Sequence, residues 1–175
     1  MIEIISILVS LIFFVNKILL LIGKKLERLG WLMGSIAAVL AVIYFFLLEL
    51  YIFTVLEFGL IILMGYGFFV KEIKNPTTEK LIHLFILVVM TVLVFFAFTG
   101  MMTIYEFVGA VLMLLGTYFL THNIYALGWL LYGVSHLFAA YVTNQKGQQF
   151  FADFQIASAA VSSIGFVLAM KRRND

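Results

Sequence analysis

The sequence predicts an all-α integral membrane protein of seven transmembrane helices, and three observations carry that expectation. Of 175 residues, 65% are hydrophobic and 11% charged, against about half and about a quarter in a typical soluble domain. The apolar runs are continuous: residues 82–98 hold no charge over seventeen positions, which suits a helix crossing hydrocarbon and not the alternating strand of a barrel. Short polar separators cut the chain into seven such runs, each close to the ~20 residues a helix needs to cross a bilayer. Helices and closed barrels alone satisfy their backbone hydrogen bonds there.

The first run, 2–22, has no basic residue before it and no small-residue cleavage site after it. It is therefore expected to be a retained span in a protein that starts at or near Met1. Residues 23–28 separate it from the second run, 31–48, and Glu49 divides that from the third, 51–70. The longest separator, 71–80, contains the single proline, Pro76, and leads into 81–99. Thr99-Gly100 precedes the run 103–121, His122-Asn123 precedes 124–143, and residues 144–149 precede 150–170. Loops this short leave no room for an extramembrane domain, so function is expected among the helices.

Orientation follows from the basic residues. Lys24, Lys25, Arg28, Lys71, Lys74, Lys80, Lys171, Arg172 and Arg173 fall on one side, and Lys146 alone on the other. The positive-inside rule then puts the N-terminus outside and the C-terminus in the cytoplasm, in what is expected to be a bacterial inner membrane. Lys17 lies about one turn inside the first run and is expected, with Asn16, to snorkel to the basic side.

An internal repeat organises the chain. A shift of 98 residues lays Leu29-Gly30-Trp31-Leu32 on Leu127-Gly128-Trp129-Leu130, Phe53 on Phe151, Glu57 on Gln155 and Gly67-Phe68 on Gly165-Phe166, without a gap. The expected architecture is a three-helix repeat over 1–73, a linker helix over 81–99 and a second three-helix repeat over 103–171. Equivalent helices run in the same direction, a parallel plan that in transporters places the substrate site at the repeat interface near the midplane.

Trp129, Tyr132 and His136 stand at i, i+3 and i+7, which puts them on one helix face over two turns. Such a face can sandwich a flat heterocycle and hydrogen-bond its edge. Trp129 equally suits an interfacial aromatic belt, and His136 a bond to a neighbouring helix. Glu57 and Gln155 occupy equivalent repeat positions about six residues, or roughly 9 Å, below the outer surface. A carboxylate at that depth is costly unless paired or hydrated, so Glu57 suits a substrate path, a proton-coupling group or a structural bond to its symmetry mate. These five residues are the candidate substrate site. Glu106 and Asp153 read as interfacial, and His83 as a headgroup-level residue.

The stretch Gly30-Trp31, Gly34, Ala37-Ala38, Tyr51, Leu56-Glu57 and Tyr66-Gly67-Phe68 resembles the repeat pattern of PnuC-type vitamin transporters. There a Trp precedes two helices that end in aromatic-Gly-aromatic. Trp129, Tyr132 and His136 look like that family's W-x-x-W-x-x-x-N helix, and Gln155 with Gly165-Phe166 like its partner helix. The resemblance implies uptake of nicotinamide riboside or a related vitamin by facilitated diffusion, a three-one-three plan similar to that of SWEET sugar transporters, and a homotrimer. Tyr132 stands in place of the second Trp, His136 in place of Asn and Glu57 in place of Gln, all substrate-facing positions in the family, which points to a different substrate.

Other chemistries find no footing in the residues. With no cysteine, disulfides and thiolate metal sites are excluded, and neither a Walker lysine motif nor a His- or Glu-based metal pattern is present. The seventh run has no mid-span lysine for a retinal Schiff base. No enzyme activity, cofactor or metal is expected, and the partners expected are a small-molecule substrate and the lipid bilayer, with no nucleic acid. The function expected is transport of a small polar, vitamin-like or heterocyclic molecule by facilitated diffusion or proton-coupled alternating access. The alternative is a non-transporting membrane subunit or sensor that keeps the fold.

Overall fold

The computed structural model describes residues 2–23, 26–69, 76–98 and 103–174. They form seven α-helices: α1 (Ile2–Ile22), α2 (Glu27–Leu47), α3 (Tyr51–Phe69), α4 (Pro76–Phe98), α5 (Ile104–Thr121), α6 (Tyr125–Gln145) and α7 (Gln149–Asn174). Among the described residues six helices, α1 to α3 and α5 to α7, are long and apolar enough to cross a membrane, so the fold is compatible with an all-α membrane protein. Lys24, Lys25, Lys71 and Lys74, residues 1 and 71–73 at the ends of the first expected repeat, residue 99 at the end of the expected linker run, and the side chains of His83, Arg172 and Arg173 lie outside the described residues.

Two helices begin earlier than the sequence suggests, because polar first turns are good helix starts. α2 begins at Glu27 and not at residue 31, with Glu27 in its first turn, where a carboxylate meets the positive end of the helix dipole. α4 begins at Pro76 and not at 81, with Glu79 in its first turn. Proline suits this position because its fixed φ is helical and its missing N–H would have had no intrahelical partner. The separator 71–80 is therefore half helix.

The helices pack as a ring in the order α1, α2, α3, α5, α6, α7, closed by α7 against α1, and α4 lies outside over the seam of α3 and α5. Successive helices alternate in direction along the chain, so the starts of α1, α3, α5 and α7 share one end, here the upper end, and the ring contains two parallel contacts, α3 with α5 and α7 with α1. The starts of α2, α4 and α6 share the lower end.

Polarity is inverted relative to a soluble bundle. Ile4, Leu11, Phe46, Phe58, Leu137, Ile156 and Val167 are exposed, while Asn16, Lys17, Glu57, His136, Gln155, Ser158 and Ser162 are buried. Water would reject the first set, and only a hydrocarbon surround lets so continuous an apolar exterior stand. Close approach between helices is set by small residues. The Trp31 ring lies on Gly67, where an added Cβ would come within 2.6 Å of it, and the Trp129 ring lies on Gly165 with the corresponding distance 2.5 Å.

The start of α5 is held by a capping box: Glu106 N donates to Thr103 Oγ1 (3.2 Å) and Thr103 N donates to Glu106 Oε2 (2.7 Å). This gives Glu106 a structural task. Thr103→Ala should lower stability by about 1 kcal/mol, read as a fall in the thermal midpoint of the purified protein; an unchanged midpoint would remove the cap from the account.

A buried polar cluster between α1, α3, α6 and α7

Helix α6 turns one face inward. Trp129 and Tyr132 meet edge to face with ring centroids 6.3 Å apart, and Tyr132 meets His136 in the same way at 4.6 Å. The i, i+3, i+7 spacing thus does make one continuous surface, and all three residues are buried. Trp129 packs on Gly165 inside the bundle, which favours an interior role over a lipid-facing belt.

His136 joins α6 to α7. Its Nδ1 lies 2.5 Å from Gln155 Oε1, and with the amide in this orientation the bond runs from Nδ1–H to the oxygen, because an amide oxygen only accepts. Nε2 is buried without a partner. The two residues stand at the same depth, as their distances from the helix ends imply, but they spend this bond on each other.

Glu57 enters from α3. It is 3% exposed, and Oε2 has no hydrogen-bond partner. Its carboxylate interacts electrostatically with Lys17 and with Tyr132, and no direct bond joins it to Gln155 or His136 among the described residues. Of the five candidate residues, Tyr132, His136 and Gln155 are linked by contact and Trp129 joins them through Tyr132. Glu57 joins them through the field it shares with Tyr132 and Lys17.

Lys17 is the residue that the sequence reading misplaces. It does not snorkel: it is 1% exposed, and its Nζ lies 5.3, 5.7 and 5.8 Å from the ring centroids of Phe13, Tyr132 and Phe154. The cause is directional. Cα–Cβ bonds tilt toward a helix's N-terminus, and Lys17 is five residues from the C-terminal end of α1, so its stem points away from the nearer surface and back into the bundle. Contact with Phe13, one turn earlier, records that direction. Three rings at cation–π distance partly compensate the ammonium for lost water, and among the described residues no acceptor lies within hydrogen-bond distance of it. Asn16 beside it is also fully buried and donates from Nδ2 to the Gly30 carbonyl across the α1–α2 contact (2.8 Å), leaving Oδ1 unpartnered.

The cluster is closed from both ends. One turn above Glu57 and Gln155 stand Phe53 and Phe151, and with Tyr44 and Phe45 they form an aromatic layer whose ring centroids are 5.2–5.5 Å apart. Tyr44 donates above it to Gln148 Oε1 (3.0 Å). Two cavities open beyond this layer at the upper end, one of about 570 Å³ lined by Glu49, Tyr51, Tyr105, Tyr141 and Lys146 among others, and one of about 600 Å³ between the starts of α1 and α7. At the lower end the Tyr125 hydroxyl lies 2.7 Å from Asn123 Oδ1 and 3.2 Å from Glu27 Oε1, two acceptors that share its one proton, and the contact with Glu27 crosses the ring. Beside that bond a cavity of about 210 Å³ reaches Trp129.

No family model, curated protein or solved structure matches this chain. The functional reading accordingly rests on the geometry above.

Proposed function

We propose that this chain is a membrane transporter of a small polar molecule, working by alternating access between two three-helix units, α1–α3 and α5–α7, with α4 as the linker and a seventh span. The observation that carries the reading is the cluster itself: ionisable and polar side chains from both units converge at the middle of the bundle, closed off at each end, with Asn16 Oδ1, Glu57 Oε2 and His136 Nε2 left without partners. Ionisable groups at membrane depth are expensive, and in membrane proteins they mark substrate and ion paths. The segment of α4 from Leu81 to Phe98 has no Asp, Glu, Lys or Arg, which supports its crossing.

Several pairs of equivalent features support the two-unit reading. α2 and α6 start at 27 and 125 and end at 47 and 145, and α3 and α7 start at 51 and 149, each a shift of 98. Trp31 on Gly67 matches Trp129 on Gly165. The left-handed turn residues Glu49 (φ 58°) and Gly147 (φ 73°) are also 98 apart, whereas Gly23 (φ 97°) and Asn123 (φ 62°) are 100 apart. Leu20 on Gly30 and Leu120 on Gly128 keep that offset of 100 for α1 and α5. The ungapped shift of 98 therefore gives way, in α1 and α5, to one of 100, with a turn between α1 and α2 that is two residues longer than its counterpart.

Under this reading the Phe53–Phe151 layer closes the outer path and the Tyr125–Glu27 bond the inner one, each pair built from equivalent residues of the two units. Vitamins and nucleosides are the first solutes to try, because Trp129 and Tyr132 offer ring faces and His136 and Gln155 a polar edge. His136→Leu and Gln155→Leu should each reduce uptake into proteoliposomes at least tenfold while the protein stays monodisperse. Unchanged uptake with stability altered by roughly 0.6–2 kcal/mol, the worth of an interhelical hydrogen bond in membranes, would instead favour a second reading. That reading, a non-transporting subunit or sensor, draws on the His136–Gln155 bond, in which the two groups satisfy each other. Topology is tested separately: reporters fused after Lys74 and at the C-terminus should both read cytoplasmic, and a C-terminus outside would sink the seven-span plan.

A further inference from the structure

A basic and an acidic side chain lie in the middle of the bundle with no salt bridge between them among the described residues. Lys17 on α1 and Glu57 on α3 are both more than nine-tenths buried, and each senses the other's charge. Yet Lys17 Nζ is surrounded by three rings and makes no hydrogen bond or ion pair among the described residues, and Glu57 Oε2 is buried without a partner. A buried ion pair offsets its desolvation only through direct, well-formed contact. Held apart, each charge keeps its cost and lacks its partner. A neutral ligand could hydrogen-bond both groups but would bring a counter-charge to neither, and a lone anion or cation would answer one of them and add net charge to a site that is otherwise balanced. A molecule with one anionic and one cationic group answers both charges and keeps the interior neutral. The remaining groups add to this pattern: His136 Nε2 and Asn16 Oδ1 are buried without partners, and the ring of Tyr132 faces Lys17.

We propose that the cluster between α1, α3, α6 and α7 binds a small zwitterion of the amino-acid class, its carboxylate at Lys17 Nζ and its ammonium at the Glu57 carboxylate. The assignment rests on the transport reading for its purpose but not for its chemistry, and the two can fail separately.

The test uses the purified full-length protein in detergent and a set of L-amino acids, each compared with its α-carboxamide, which lacks the anion, and its N-acetyl derivative, which lacks the cation. Neutral nucleosides complete the panel. At least one amino acid should raise the thermal midpoint, with either blocked analogue bound roughly 10- to 100-fold more weakly, since a hydrogen bond to a charged group is lost in each case. The double variant Lys17→Met/Glu57→Gln, which removes both charges together, should lose this response while remaining folded. Equal stabilisation by blocked and free forms, stabilisation by nucleosides alone, or a response that survives in the double variant would each overturn the proposal. Uptake into proteoliposomes then separates the two ideas. A zwitterion that binds with this charge dependence but is not carried across upholds the site and removes the transporter, whereas a neutral solute carried equally by the parent and the double variant removes the site and upholds the transporter.

Discussion

Lys17→Met alone should destabilise the protein, by less than the ~3–5 kcal/mol lost when a buried pair in direct contact is broken, because Glu57 loses the field of a group that it does not touch. Glu57→Gln should be similarly costly, since the Lys17 ammonium would then have only its three rings. The double variant should recover most of the loss. Two charges brought into hydrocarbon are expensive, and taking both away removes the expense along with the attraction. Equilibrium unfolding of the four proteins in mixed micelles measures the coupling. If the two single losses simply add in the double variant, Lys17 and Glu57 do not act on each other, and the centre of the cluster must be redrawn around His136 and Gln155.

Gly116→Ala should cost about 1–3 kcal/mol, the range for overpacking a close contact. The added Cβ would stand 2.7 Å from Tyr132 N and 3.1 Å from the Gly128 carbonyl oxygen. These are backbone atoms of α6, which no rotamer change can move aside, so relief requires α5 and α6 to separate. Since Tyr132 belongs to the cluster, the same change should shift whatever the cluster binds. Gly65 provides the control. An added Cβ there meets nothing within 4 Å, and Gly65→Ala should be neutral or slightly stabilising, by up to ~1 kcal/mol from helix propensity. Equal losses at the two positions would mean that the contact of α5 with α6 is looser than described.

What could be read in the sequence was whatever depends on periodicity along one helix. Trp129, Tyr132 and His136 share a face because 3.6 residues make a turn, and the equal depth of His136 and Gln155 follows from counting 1.5 Å per residue from a helix end. The apolar runs likewise locate the helices, since hydrocarbon demands unbroken stretches. What escaped is whatever depends on direction and on partners. Placing Lys17 by its distance to the nearest surface ignores that a side chain near the C-terminal end of a helix leans away from that surface. Its surroundings come from α6 and α7, over 110 positions further along the chain in the case of Tyr132. Pro76 looked like a loop residue by composition, and only its place at a helix start shows why it is there. Under the proposed two-unit reading, an offset of 100 between α1 and α5 is hidden in the sequence because apolar runs align with themselves at almost any shift. Contacts at Gly30 and Gly128 break that degeneracy.

The backward lean of Lys17 also bears on the order in which the protein is made. Helices of a polytopic chain enter the bilayer first and associate afterwards, and α1 enters before α3 has been synthesised. During that interval the ammonium has neither Glu57 nor the rings of Tyr132 and Phe154 beside it, and Phe13 on its own helix is the single ring it keeps. Five residues from the end of α1, it can still be drawn toward the headgroups by bending its four-carbon stem against its preferred direction. Assembly reverses that excursion. As α3, α6 and α7 arrive, the charge withdraws from the interface into the bundle, so that completion of the ring and burial of Lys17 are one event. A chain truncated after α3 would have Glu57 but no closing helices, and its first segment would remain the least settled part of the nascent protein.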